Sequence, residues 1–199
     1  MTVTAAVRRT DARLLTAGAV AGPLYLGVSL IEASVRDGFD PTRHAWSQLS
    51  NGPYGWVHIT LFLVTGSLVT AAAVGLHTRA GLPLGLYGLG LIGSGIFRAD
   101  PGRGFPAGTP EVVPMSWHGT LHFVCGGIGF VGLVAACFVV ARRYRPVFSR
   151  VTGAMFGVAF VALAASGGAA WALLGFTAAV VLSFVWLTLV CLHFRGKAL

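Results

Sequence analysis

Two histidines four residues apart, His118 and His122, close a Pro- and Gly-rich polar stretch, DPGRGFPAGTPEVVPMSWHGTLH (Asp100 to His122), caught between two long apolar runs. On a helix that starts near Ser116 they lie one turn apart on one face, the spacing that lets two imidazoles share a metal ion or a proton path. A third nitrogen from His58 and the carboxylate of Asp100 complete a donor set that suits zinc, with one position left for water. Zinc lowers the pKa of such a water to about 7, which makes a hydroxide nucleophile at neutral pH. Asp100 either ligates the metal or orients a histidine from behind. The chemistry this set predicts is metal-assisted hydrolysis, with Asp100, His118 and His122 as the catalytic groups and with His58 joining them as zinc ligands. The competing reading is that His118 sits at the membrane interface and His122 hydrogen-bonds a neighbouring helix, because the spacing alone is common.

Other residue types extend or rival this set. Arg98 and Arg103 can steer an anionic headgroup or simply anchor the interface. Arg43, Ser47, Trp56 and Arg98 are the candidate substrate contacts. Ser47, Ser50 and His44 offer a nucleophile and a base, although no G-x-S-x-G elbow accompanies them. His58 with His122, and His77 with His193, can also be read as two axial pairs for haem across a bundle.

These residues must be positioned by membrane helices. Of 199 residues, 55% are hydrophobic and only 10% charged, with a mean hydropathy of +0.78, far too few charges to coat a water-soluble domain. The expected fold is all-α, a single polytopic bundle of six transmembrane helices over about 14–32, 57–76, 82–99, 117–141, 151–165 and 171–194. The first run follows Arg8, Arg9 and Arg13, as a signal peptide would, but its length favours a retained span. Glu32 closes that span, four residues before Arg36. The net charge of +8 does not point to nucleic acid, since the cations sit at the ends of apolar runs. Ten of them fall on the side of the chain ends, against Asp11 alone, and four on the other side, so the termini are expected to be cytoplasmic in a multi-pass cell-membrane protein. Cys125, Cys137 and Cys191 lie in apolar runs and read as small buried hydrophobes without a disulfide.

Between the first two spans, the polar loop Ser34 to Trp56 holds Trp46, Tyr54 and Trp56, aromatics of the headgroup level, and is expected to lie partly along the membrane as a lid. Gly18 and Gly22 form a small-xxx-small pair. Glycine patches in the third span (Gly85, Gly88, Gly90, Gly93, Gly95) and the fourth (Gly126, Gly127, Gly129, Gly132) predict close packing of these two helices, with Gly88 and Gly127 among the contacts. Pro101 is expected to end the third helix. With this topology Glu32, His58, Asp100, His118 and His122 fall in one layer near the outer face, where ionisable groups are costly and invite a functional reading.

The segment RHAWSQLSNGPYGW (Arg43 to Trp56), Gly66, the GIFRADPGRGFP region (Gly95 to Pro106) and HGTLH (His118 to His122) resemble a six-span prokaryotic membrane family, domain of unknown function 998. The resemblance covers nearly the whole chain, except that the family often has Pro at Arg98 and its pattern does not include His58. The histidine–aspartate constellation is also similar to that of membrane metal hydrolases such as alkaline ceramidases, which resemblance implies zinc, although those proteins have seven spans. Three functions stand side by side. The first is a metal-dependent hydrolase or lipid-modifying enzyme acting at the outer leaflet on an amphiphilic small molecule drawn from membrane lipid. The second is a non-catalytic membrane protein or small transporter with structural histidines. The third is a haem or quinone redox protein.

Overall fold

The computed structural model describes residues 3–198 and the side chains of residues 11–197. It is all-helical, with α1 (Val3–Val35), α2 (Gly55–Gly75), α3 (Gly81–Ile96), α4 (Trp117–Val140), α5 (Pro146–Ala165) and α6 (Ala170–Ala198), and no β-strand among the described residues. Five of these helices are long and apolar enough to cross a membrane; α3, at 16 residues, is shorter. A helix of that length rises about 24 Å, somewhat less than the roughly 30 Å of a hydrocarbon core.

Each helix packs on the next, and α6 returns against α1, so the six close into a ring. Side chains from four of the helices fill its middle: Tyr25 stacks on Phe184 at 4.6 Å and meets Phe62 at 5.9 Å, and Tyr87 meets Phe184 at 6.1 Å. The outside is apolar too, with Leu30, Val74, Leu82, Val131, Val158 and Val161 exposed. A surface of this kind suits lipid rather than water.

Several element boundaries differ from the sequence expectation: α1 extends over Val3–Val35 and α6 to Ala198, beyond the apolar runs. α3 stops at Ile96 rather than at Asp100–Pro101, because Phe97 is extended (φ −99°, ψ 99°). α5 starts five residues early, since Pro146 stands in its first turn, where the missing amide is no loss.

Glycines set the helix spacing. A Cβ on Gly18 would strike Ala72 and Cys191, and one on Gly22 would strike the Phe184 carbonyl, so that pair seats α1 against α2 and α6. The patch on α3 is divided between two neighbours. A Cβ on Gly90 would stand 2.6 Å from the Cα of Gly129 on α4, whereas one on Gly88 would meet Gly66 and Thr70 on α2. Gly127 faces only the tip of Phe160 on α5. The expected α3–α4 contact is therefore made by Gly90, Gly129 and Gly132, not by Gly88 and Gly127.

The long connections share one end of the bundle and lock together. Arg43 pairs with Glu111 at 2.7 Å, His44 Nε2 lies 3.0 Å from the Arg103 carbonyl, and the Arg103 guanidinium donates to the carbonyls of Gly167 and Gly168. At the opposite end lie the α2–α3 and α4–α5 turns, the start of α1 and the end of α6. There His77 bonds Asp11 at 2.7 Å, and Tyr144 packs on His193 at 4.3 Å.

Candidate functional site

Two polar stripes meet between α1 and α2. On α1, Tyr25, Ser29 and Glu32 recur at i, i+4 and i+7; on α2, His58, Phe62 and Thr65 do the same, which places each trio on one helix face. All six are buried. His58 Nδ1 lies 2.8 Å from Glu32 Oε2, and Arg36 NH1 lies 3.6 Å from Glu32 Oε1, one helical turn on. The side chains are 0%, 7% and 8% exposed for His58, Glu32 and Arg36, so the charge of Glu32 is compensated almost out of contact with solvent. An uncompensated carboxylate there would cost several kcal/mol.

Arg36 also ties this pair to the loop above it. Its guanidinium donates to the carbonyls of Leu49 (3.1 Å) and Asn51 and lies 5.3 Å from the centre of the Phe105 ring. Asn51 Nδ2 in turn donates to the Ala99 carbonyl at 3.1 Å, which fastens the 3-10 turn Trp46–Ser50 to the end of α3. Trp46 is buried against Tyr25, at 6.1 Å between rings, and so is part of the core rather than of a headgroup belt; Tyr54 and Trp56 are the exposed aromatics. The loop covers the end of the α1–α2 seam as a plug. At its outer edge, the Thr42 hydroxyl and amide bond Asp40 Oδ1 (2.6 and 2.8 Å) and hold that carboxyl below its usual range.

Under this plug, Ser29 Oγ, Glu32 Oε1, His58 Nε2 and Thr65 Oγ1 are buried without a hydrogen-bond partner in the protein. Buried polar atoms left so cost about 1–3 kcal/mol each, which makes their gathering in one seam informative. The contact orients the ring: His58 directs Nδ1–H at the Glu32 carboxylate, and Nε2 points into the seam without a partner.

The residues singled out from spacing are used differently. Asp100 accepts from the Ser116 amide (2.8 Å) and hydroxyl, while Ser116 Oγ accepts from Gly119 N (3.0 Å); together they cap the start of α4. Gly119 has no room for a Cβ, since Asp100 occupies that space. His122 is one turn below His118, as expected, but its Nδ1 is 2.9 Å from the carbonyls of both Ser94 and Phe97. Those carbonyls sit at the end of α3, where helix geometry leaves acceptors without donors, and His122 supplies one. His118 packs on Trp117 at 3.7 Å and faces Phe97 at 6.1 Å, with Nδ1 unpartnered.

Among the described residues no three His, Cys, Asp or Glu side chains are gathered so as to hold a metal ion. The donors of Asp100, His118, His122 and His58 therefore do not fit a zinc centre as they stand: the first caps a helix, the third bonds backbone, and the last faces Glu32. Phe62 packs edge-on against both His58 (4.9 Å) and His122 (6.0 Å), so that pair is not arranged as two axial ligands facing one plane. His77 and His193 are engaged by Asp11 and Tyr144.

The candidate substrate contacts are scattered. Arg43 is paired with Glu111, Arg98 and Trp56 are exposed, and the Ser47 carbonyl accepts from Ser50 Oγ at 2.6 Å. With Ser50 so bound and both His44 nitrogens bonded to backbone, no serine–histidine pair forms there. Sequence reasoning named the Glu32–Arg36 turn but missed the Glu32–His58 contact and the part played by Ser29 and Thr65. The available signal was the matched i, i+7 spacing of polar or titratable residues on two successive spans, Tyr25 with Glu32 and His58 with Thr65.

The family model described as "Protein of unknown function (DUF998)" matches residues 19–194. No curated protein and no solved structure matches the chain.

Proposed function

Given that this chain belongs to the DUF998 family, we propose from its own residues that it is a multi-pass cell-membrane enzyme whose Glu32–His58 pair acts as an acid–base centre. In this reading all six helices span the bilayer, both chain ends are cytoplasmic, and the plugged end of the bundle lies at the outer leaflet. The substrate is an amphiphilic small molecule from membrane lipid, and the reaction is hydrolysis or group transfer. One observation carries this: His58 Nδ1 is held 2.8 Å from the Glu32 carboxylate while Nε2 is buried with no partner. A carboxylate that accepts Nδ1–H fixes the ring and stabilises the imidazolium that forms when Nε2 takes a proton. His58 is thus prepared to deprotonate a water or a substrate hydroxyl and to return the proton to the leaving group. Arg36 stands 3.6 Å from Glu32 Oε1 as its cationic partner, and Ser29 and Thr65 supply hydroxyls to a polar headgroup entering the seam. No step runs through a metal.

The test is turnover. Wild type and His58→Gln are reconstituted into liposomes of a total bacterial lipid extract, and the lipids are compared by mass spectrometry over time. Wild type should convert at least one lipid species, and His58→Gln should do so about 100-fold or more slowly, within the range a positioned base contributes, at an unchanged unfolding temperature. Identical lipid profiles for both proteins and for empty liposomes would leave Glu32–His58 as a structural latch.

A further inference from the structure

At the end of the bundle opposite Glu32–His58 lies a pocket of about 370 Å³, lined by Thr78 and Arg79 from the α2–α3 turn, by Val139, Arg142 and Arg143 from the end of α4, and by Phe194 from α6. Helix α2 runs from His58 to Gly75 before the turn that bears Thr78, so about 25 Å of helix separates the two places. We propose that this pocket binds the headgroup phosphate of an anionic glycerophospholipid.

Three arginines line one small space, and none makes an ion pair or a side-chain hydrogen bond among the described residues. Asp11 is the one carboxylate side chain at this end, and it is bonded to His77. Like charges held this close repel unless an anion joins them. The arginine fork matches phosphate with paired N–H donors, and the last carbonyls of α4, whose partial negative charge would oppose an anion, face three full positive charges. The Thr78 hydroxyl stands at the same rim.

The remaining wall decides which phosphate. Val139 and Phe194 are apolar, partly buried and set just inside the helix ends, where the glycerol and first methylenes of a lipid would lie. The volume lies within the range of small-molecule sites and suits a headgroup with its glycerol. Basic pockets between transmembrane helices are favoured places for anionic headgroups. A free phosphate would leave that apolar wall uncovered. The proposal does not depend on the activity of Glu32–His58.

The full chain is placed in phosphatidylcholine nanodiscs, phosphatidylglycerol is titrated in, and lipid retention is read by native mass spectrometry together with the unfolding temperature. Phosphatidylglycerol should be retained in preference to phosphatidylcholine and should raise the unfolding temperature. In Arg79→Gln/Arg142→Gln/Arg143→Gln retention should weaken at least about tenfold. The charge-matched Arg13→Gln/Arg150→Gln/Arg195→Gln protein, altered outside the pocket, should retain the lipid like wild type. Equal loss in both triple variants would reduce the effect to general surface charge and overturn the site. So would undiminished retention in the pocket variant, or reproduction of the thermal shift by millimolar inorganic phosphate alone.

Discussion

Gly119 shows how tightly single residues are committed at the start of α4. Its amide donates to Ser116 Oγ, and the Asp100 carboxylate lies where a Cβ would go. Alanine is the better helix former by about 1 kcal/mol, so propensity alone predicts that Gly119→Ala stabilises. The packing reverses the sign: Asp100 must move, the cap is lost, and the change should lower stability by about 1–3 kcal/mol, read as a lower unfolding temperature in detergent. His122→Ala should cost more, about 2–4 kcal/mol, because it opens a cavity and removes the donor from the buried Ser94 carbonyl and the part-buried Phe97 carbonyl. His118, tilted against exposed Trp117, should tolerate alanine with less than about 1 kcal/mol of loss. Equal losses at both histidines would mean that His122 does not carry the end of α3.

Helix α3 owes its place to glycines on two of its faces. Gly88 admits Gly66 and Thr70 of α2, and Gly90 admits Gly129 of α4, so the short helix is clamped between two longer ones. Close approach gains dispersion contacts that lipid cannot replace as well. Gly88→Leu and Gly90→Leu should each cause marked loss of folded protein in detergent, through different neighbours. Gly127→Leu should be nearly neutral, since only the tip of Phe160 stands nearby, 3.9 Å away. Fluorescence-detected size-exclusion after graded heating separates these outcomes, and a Gly127→Leu protein as labile as Gly90→Leu would contradict the division of faces.

For the molecule as a whole, the two ends are chemically unlike. One carries the interlocked loops and the sealed Glu32–His58–Arg36 group; the other carries most of the cations and the arginine pocket. Positive charge tends to be retained on the cytoplasmic side during insertion, and the proposed orientation rests on that rule. In a Cys125→Ala background, a cysteine at exposed Val112 should react with an impermeant maleimide on intact cells, whereas one at Arg150 should react only after permeabilisation. The reverse pattern would invert the protein and put the Glu32–His58 layer at the inner leaflet.

Read alone, the sequence determined the all-helical class and the number of helices, because hydropathy and the 3.6-residue period are local properties. It also marked the His118–His122 face and the Glu32–Arg36 turn. Only the tertiary structure decided partners. The i, i+4 histidines share a face, yet His122 bonds α3 because that helix ends four residues before Asp100 and leaves carbonyls within reach. Asp100 lies near the same layer but is taken by the first turn of α4, where free amides attract a carboxylate. His58 meets Glu32 because glycine-mediated contacts bring α1 and α2 together in one rotation and not another. Depth along a helix is written in the spacing of residues; the rotation of one helix against another is set by packing across the whole ring, and it decides which of the groups at one depth touch.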